Sequence, residues 1–379
     1  MQFDLTDEQR AIQETARRFT AEAITPNAAQ WDEKSSFPRA TVKAAAELGF
    51  GGICVSEDAG GAGLGRLEAA LIMEAMAYGC PSTAAFISIT NMAAWMIDRF
   101  GSAKLKAEYL PSLVTCDRLA SYCLTEPGSG SDAAALKTRA VKEGSHYVVS
   151  GSKAFISGAG ENDLYVTMVR TGAEGPKGIS CLVIEKDMKG VSFGAQERKL
   201  GWHSQPTAQV NFDGVRVPVG NLIGGEGEGF RIAMQGLDGG RINIGACSLG
   251  GAQRCLDEAV AYTKSRKQFG QAISEFQATQ FTLADMETGV EASRSLLYRA
   301  ADKVTARAPD ATRFSAMAKR FVTDTCMGVA DRALQLHGGY GYLRDFPVER
   351  IYRDLRVHSI LEGTNEIMRV IIAREMLRQ

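Results

Sequence analysis

Leu164-Tyr165-Val166-Thr167-Met168-Val169-Arg170 is followed by a turn bounded by Gly172 and Gly178, and then by Ile179-Ser180-Cys181-Leu182-Val183-Ile184-Glu185. Two runs rich in β-branched and aromatic residues around a short turn read as neighbouring strands. They are the clearest part of a section, residues 119–219, in which β-prone runs (119–125, 147–150 and 208–212 are others) alternate with turn residues such as Gly144-Ser145, Gly190 and Asp213-Gly214. That spacing predicts an all-β barrel or sandwich. On both sides the periodicity is helical. Thr6 and Gln9 have the spacing of a capping box at the head of the first helix, and further helices are expected over 41–48, 67–78, 88–100 and 103–113. Beyond the section they are expected over 230–266, 275–306, 311–336 and 347–353, with a last one after Glu362. The expected fold is therefore α+β: an N-terminal helical domain (1–118), a middle β domain (119–226) and a C-terminal four-helix bundle domain (227–379), with the helical parts merging into one bundle.

At 379 residues the chain exceeds one ordinary core, and 45% hydrophobic with 23% charged residues is a soluble globular composition. A formal net charge of -1 argues against a general nucleic-acid binder. No apolar run reaches membrane-spanning length. Met1 to Gln9 has neither a basic nor an apolar leader region, so a bacterial cytoplasm or a processed form in the mitochondrial matrix is expected. None of the eight cysteines forms a C-x-x-C pair, which predicts buried reduced thiols. The four histidines are scattered, and no metal site is expected.

Several stretches carry candidate chemistry. In Ser359-Ile360-Leu361-Glu362-Gly363-Thr364-Asn365-Glu366-Ile367 a carboxylate sits between apolar residues and a glycine. Desolvation raises the pKa of such a group towards that of a working base. The plainer reading is a solvated loop glutamate before a helix capped by Thr364 or Asn365. Gly128-Ser129-Gly130-Ser131-Asp132-Ala133 matches a dinucleotide fingerprint, but β-prone sequence resumes soon after it and Pro127 breaks the entry, so no Rossmann unit is expected. The loop offers hydroxyls and open backbone N–H groups to a polar ligand, or forms a tight surface turn. Arg266-Lys267-Gln268-Phe269-Gly270 reads as a basic helix end closed by a glycine stop, or as a phosphate fork at Arg266. His337-Gly338-Gly339-Tyr340-Gly341-Tyr342 reads as a helix stop, or as backbone laid open to a ligand. Leu237-Asp238-Gly239-Gly240-Arg241 places two glycines inside a helix, each costing about 1 kcal/mol against alanine, which close packing would offset. Asp238 and Arg241, three apart, are spaced to pair.

Taken in order, Tyr122-Cys123-Leu124-Thr125-Glu126-Pro127-Gly128-Ser129-Gly130-Ser131-Asp132, Arg266 to Gly270, Gln335-Leu336-His337-Gly338-Gly339-Tyr340-Gly341 and Leu361-Glu362-Gly363-Thr364 resemble the signature stretches of the acyl-CoA dehydrogenases. The resemblance covers essentially the whole chain. It implies a homotetrameric flavoenzyme, a dimer of dimers, with one FAD per subunit, acting on an acyl-CoA and passing electrons to an electron-transferring flavoprotein. By matched motif, Tyr122, Leu124, Thr125, Gly130 and Ser131 would hold flavin and substrate, with Phe155, Ile156 and Ser157 along the isoalloxazine. Arg266, Phe276 and Gln277, with Gln335, His337, Gly338 and Gly339, would grip the pyrophosphate and adenosine half, partly across a subunit interface; Thr364 and Glu366 would complete the FAD site. Glu362 would be the base that removes the substrate's α-proton. Ser131, Asp238, Gly239, Arg241 and Arg374 would contact the acyl-CoA.

Isovaleryl-type members carry their base just before the position matching Arg241. Here that residue is Gly240, which leaves Glu362 without a rival. The stretches 237–250 and Gly201-Trp202-His203-Ser204-Gln205-Pro206-Thr207 look most like those of members acting on isobutyryl-CoA, so a short branched substrate is expected, isobutyryl-CoA first and 2-methylbutyryl-CoA or butyryl-CoA next. An acyl-CoA oxidase or a catalytically silent acyl-CoA binder are the rival readings.

Overall fold

A computed structural model describes residues 4–377. Thr6 and Gln9 exchange both bonds of the expected capping box at the head of α1 (Asp7–Phe19). A π-helical turn (Thr20–Ile24) leads into α2 (Ala28–Lys34), a short polar helix that periodicity does not betray, closed by Ser35 in the left-handed region. Then come α3 (Arg39–Glu47), α4 (Arg66–Gly79), α5 (Pro81–Phe100) and α6 (Ala103–Val114). α5 starts at Pro81, well before the expected 88, because proline suits a first turn, where its missing N–H would have had no intrahelical partner.

The strands are β1 (Ala120–Cys123), β2 (Arg139–Glu143), β3 (His146–Ser157), β4 (Leu164–Arg170), β5 (Ile179–Glu185), β6 (Val191–Phe193), β7 (Thr207–Pro218) and β8 (Leu222–Ile223). Among the described residues they join in the order β6-β7-β3-β2-β4-β5-β8, with β1 parallel to β4. β2 meets β4 at one pair only, Arg139↔Arg170, so the sheet hinges there into two wings. Tyr147, Val149, Phe212 and Val215 from one wing share a core with Tyr165, Val169, Leu182 and Ile184 from the other, as in a sandwich. The second face of β4 and β5 (Leu164, Val166, Met168, Cys181 and Val183) packs against helices. Burial on both faces is why these two strands read as unbroken apolar runs. β2, with four of five residues exposed, and the short β6 carry no such pattern and are not foreseen.

The chain returns to helix in α7 (Gly229–Ser265), continued by α8 (Gln277–Thr305), α9 (Ala311–His337), α10 (Pro347–Leu355) and α11 (Asn365–Leu377). α7 lies at the centre, packed on α4, α5, α8 and α9, and helices from both ends of the chain share one apolar core. The glycines of α7 permit this. A Cβ on Gly245 would stand 2.7 Å from Leu297, and one on Gly250 would overlap the backbone of Glu74. The expected glycine stop at Gly270 is corrected. α7 ends at Ser265, and Phe269 (φ 53°) and Gly270 (φ 83°) instead make the left-handed turn of a hairpin, β9 (Lys267–Gln268) with β10 (Gln271–Ala272). All eight cysteines are free, seven of them buried. Among the described residues no group of three or more ligating side chains forms a metal site, and no helix is long and apolar enough to cross a membrane.

Candidate active site

The loop between α10 and α11 is held from beneath. Lys319, fully buried on α9, donates to the Gly363 carbonyl at 2.8 Å and to Asn365 Oδ1 at 2.9 Å. Asn365 in turn donates to Thr323 Oγ1 and Asp324 Oδ1. Arg241, also buried, donates through Nε to the Glu362 carbonyl at 3.2 Å and through Nη1 to Asp238 at 2.8 Å. Asp238 receives a further bond from Thr312, so the Asp238–Arg241 pair is an internal brace rather than a surface pair. Thr364 Oγ1 accepts from the Ile367 N–H, capping α11 as one of the two expected residues.

Held this way, Glu362 adopts φ 56°, a region costing an L-residue roughly 1–2 kcal/mol, and Gly363 follows at φ 86°. The turn lays the Glu362 carboxyl over α7 at Gly240, where a built Cβ would come within 2.8 Å of Cδ and 2.9 Å of Oε1. Oε2 is shielded from solvent and has no hydrogen-bond partner among the described residues. Burial pushes the carboxyl up to about 7, against the opposing pull of Arg241 and Lys319. A carboxylate with an unpartnered oxygen and a pKa near neutrality is equipped to take a proton. Gly240→Ala is expected to displace the carboxyl and lower kcat/KM about 10- to 100-fold, as steady-state kinetics would show, since small misplacements of a reacting group are that costly.

Facing this loop is the edge of the sheet. The buried Tyr122 hydroxyl has no partner, and burial together with the nearby Glu362 charge holds the phenol well above its usual range. The Ala154 N–H donates to the Thr125 carbonyl at 2.9 Å, and Ser121 Oγ donates to the Ser157 carbonyl at 2.7 Å, so the segments 121–125 and 154–157 are stitched together. Between them the β3–β7 register slips, and Phe155, at φ 57°, presents a ring that is 67% exposed. Leu124 is buried, Ile156 points into the sandwich core, and Ser157 is half-buried. Gly130 and Ser131 lie exposed on the loop beyond, where a Cβ on Gly130 would meet nothing within 4 Å. The buried Lys153–Glu126 pair fixes that loop, with Glu126 also accepting from the Lys137 and Thr138 N–H groups. An aromatic ring turned outward where the register slips suits the stacking of a flat ring system.

A second cluster forms where α7 and α9 end. Arg266, Gln335, His337, Gly338 and Gly339 line one cavity with Tyr340, whose ring lies 5.6 Å beneath the Arg266 guanidinium. Gly338 and Gly339 leave open space where a Cβ would be. The His337 ring is buried and stacked on Tyr262 at 4.4 Å. Phe276, against the almost fully exposed Phe269, precedes Gln277 at the start of α8. Glu366 and Arg374 are exposed on α11, and Gly239 packs against the Arg66 guanidinium. Lys319 and Asn365 escape the sequence reading as supports of the loop. The signal exists: Ser315, Lys319, Val322 and Cys326 recur at helical spacing on the buried face of α9, so a lysine stands in a core stripe.

Residues 6–117 match the N-terminal, 121–215 the middle and 227–377 the C-terminal domain of acyl-CoA dehydrogenase. The chain is 57% identical over 373 residues to a mitochondrial isobutyryl-CoA dehydrogenase of Dictyostelium discoideum, covering 98% of this chain and 90% of that one. It is 52% identical over 375 residues to the mitochondrial isobutyryl-CoA dehydrogenase of Bos taurus, covering 99% and 90%. The solved butyryl-CoA dehydrogenase of Megasphaera elsdenii superposes with a TM-score of 0.97 at 36% identity over the whole of both chains. With a free, shielded carboxylate on the Gly240 face of α7 and all three domains matched in order, the chain belongs to the acyl-CoA dehydrogenase family.

Proposed function

We propose that this chain is an FAD-dependent dehydrogenase of short branched acyl-CoA thioesters, with isobutyryl-CoA as its first substrate. The observation that carries the reading is the Glu362 carboxyl, placed on a Cβ-less patch of helix with Oε2 unpartnered. Glu362 takes the α-proton, leaving charge on the thioester carbonyl. The Glu362 backbone N–H, which bonds to no acceptor among the described residues, is free to donate to that oxygen. A donor aimed at charge that exists only in the transition state accelerates the step. A bound FAD supplies the hydride acceptor for the β-carbon, and the product is the 2-enoyl-CoA. Phe155 and Ser157, with Tyr122 and Thr125, would seat its ring, while Arg266, Gln277, Gln335 and Gly339 would take its pyrophosphate and adenosine half.

Supporting an assembled enzyme, Phe269, Tyr340, Tyr342 and Leu343 are large apolar side chains left exposed around the second cluster. In a homotetramer, a dimer of dimers, that surface would be covered and each FAD shared between subunits. Electrons would leave to an electron-transferring flavoprotein. The high identity to relatives named for isobutyryl-CoA supports the substrate. The test is anaerobic addition of isobutyryl-CoA to the purified flavoprotein. Rapid bleaching of the visible flavin band is the expected result; bleaching by octanoyl-CoA in preference would discard the substrate, and peroxide release in air would point to an oxidase.

A further inference from the structure

We propose that the cleft where the first helices of the chain meet α7 and α8 binds a small organic monoanion with an aliphatic body, its negative end at Arg17. This goes beyond the acyl-CoA reading above and does not rest on it.

The cleft measures about 550 Å3, within the range of cavities that take small organic molecules and well above what a single water needs. α1 and the π-helical turn after it form one wall, α4 the second, and α7 with α8 the rest. None of the residues that line it belongs to the Glu362 loop, to the 121–125 and 154–157 segments or to the second cluster. Small residues keep it open: Ala21 on the π turn, and the buried Ala75 and Gly250 on α4 and α7. A π turn is rare and recurs at functional sites, and this one supplies both Thr20 and Ala21 to the wall.

The charges on the wall do not cancel. Both oxygens of each carboxylate already accept: Glu74 takes Arg294 Nε at 3.1 Å and the Tyr298 hydroxyl at 2.6 Å, and Asp257 takes Gln253 Nε2 and the Tyr78 hydroxyl, each at 2.9 Å. Arg294 is paired with Glu74 and Glu291, and Arg254 with Glu258. Arg17 is left over. It lines the cleft with no carboxylate partner among the described residues, and the hydroxyl of Thr20, a residue only 2% exposed, has no partner either.

Spare donors beside carboxylates that are already bonded select an anion, and one uncompensated cation selects a single charged end. The body of the ligand meets Ala21, Ala75 and Gly250. Tyr78 is the one aromatic ring that lines the cleft, and the Arg254 guanidinium covers one of its faces at 5.2 Å. An aliphatic body therefore matches this wall better than a stacked aromatic one.

The probe is octanoate, titrated calorimetrically into the FAD-loaded protein. One binding event per chain is expected, weakened about 10-fold or more in Ala21→Trp, which fills the cleft, and about 5- to 10-fold in Arg17→Gln, which removes the charge. Octan-1-ol, which keeps the body and lacks the charge, should bind about 10-fold more weakly than octanoate. Ala21 and Arg17 are both exposed, so the variants should fold and keep kcat/KM for isobutyryl-CoA close to the wild-type value. Octanoate that binds wild type and both variants equally would sit elsewhere, as in the acyl-CoA site, and would overturn the proposal. Absence of binding to the wild type, octan-1-ol binding as tightly as octanoate, or inorganic phosphate displacing octanoate would overturn it as well.

Discussion

Glu362→Gln is expected to leave the flavin oxidised when isobutyryl-CoA is added without oxygen, on a time scale in which the wild type bleaches completely. Glutamine keeps the shape over Gly240 and removes the group that takes the proton. Loss of a positioned general base lowers a rate by about 10²- to 10⁴-fold, and here no neighbour offers a replacement. Asp238 is committed to Arg241 and Thr312, and Tyr122 is held far above neutrality by burial and by Glu362 itself. Stopped-flow absorbance checks it; a variant that bleaches within tenfold of the wild-type rate would remove Glu362 from the mechanism. The same substitution should stabilise the fold in alkaline buffer. The carboxyl titrates near 7 when folded against 4.5 unfolded, so the folded chain holds the extra proton between these values. Stability is therefore unaffected by this group below about pH 4, falls as pH rises from there to about 7, and stays lowered beyond. Glutamine escapes that loss, giving up to about 3 kcal/mol at pH 8 and nothing at pH 4, measurable by urea denaturation at the two values.

Lys319→Met should be damaging twice over. Methionine fills the space but leaves the Gly363 carbonyl and Asn365 Oδ1 without their donor, a loss of about 2–4 kcal/mol for two bonds to a buried charge. It also withdraws one of the two cations that oppose the effect of burial on Glu362. With Lys319 gone the carboxyl holds its proton to higher pH, so the acid limb of the kcat/KM profile moves upward from about 7. A profile that keeps its midpoint while stability drops would reduce Lys319 to a scaffold for the loop. Arg241 is then the remaining cation on the base.

Much of this was legible from residues alone, and the failures have physical reasons. β4 and β5 announce themselves because both faces are buried; β2 hides because most of its side chains face water. The glycines at 239 and 240 signal close approach inside a helix, and Glu362 signals desolvation through its apolar neighbours. Only the three-dimensional path shows that one of those glycines lies beneath that carboxylate. Lys319 is some forty residues from the loop it supports, and a lysine in an apolar stripe is easily taken for a snorkelling side chain. The orphaned Tyr122 hydroxyl has no sequence signature. An unmade hydrogen bond is a property of surroundings, not of a residue type.

The closeness of α7 to its neighbours also bears on how this sequence drifts over generations. A single-base change in the first or second position of a glycine codon yields alanine, serine, valine, cysteine, arginine, aspartate, glutamate, tryptophan or a stop, and every one of those amino acids brings a Cβ. At Gly239, Gly240, Gly245 and Gly250 the space that atom needs is already taken by Arg66, Glu362, Leu297 and the Glu74 backbone. Descent with modification along this helix therefore meets its firmest bar at the Gly250 codon, where the obstacle is backbone; at the other three a side chain would have to give way, and exposed positions on its last turns, such as Ala261 and Lys264, remain open to substitution.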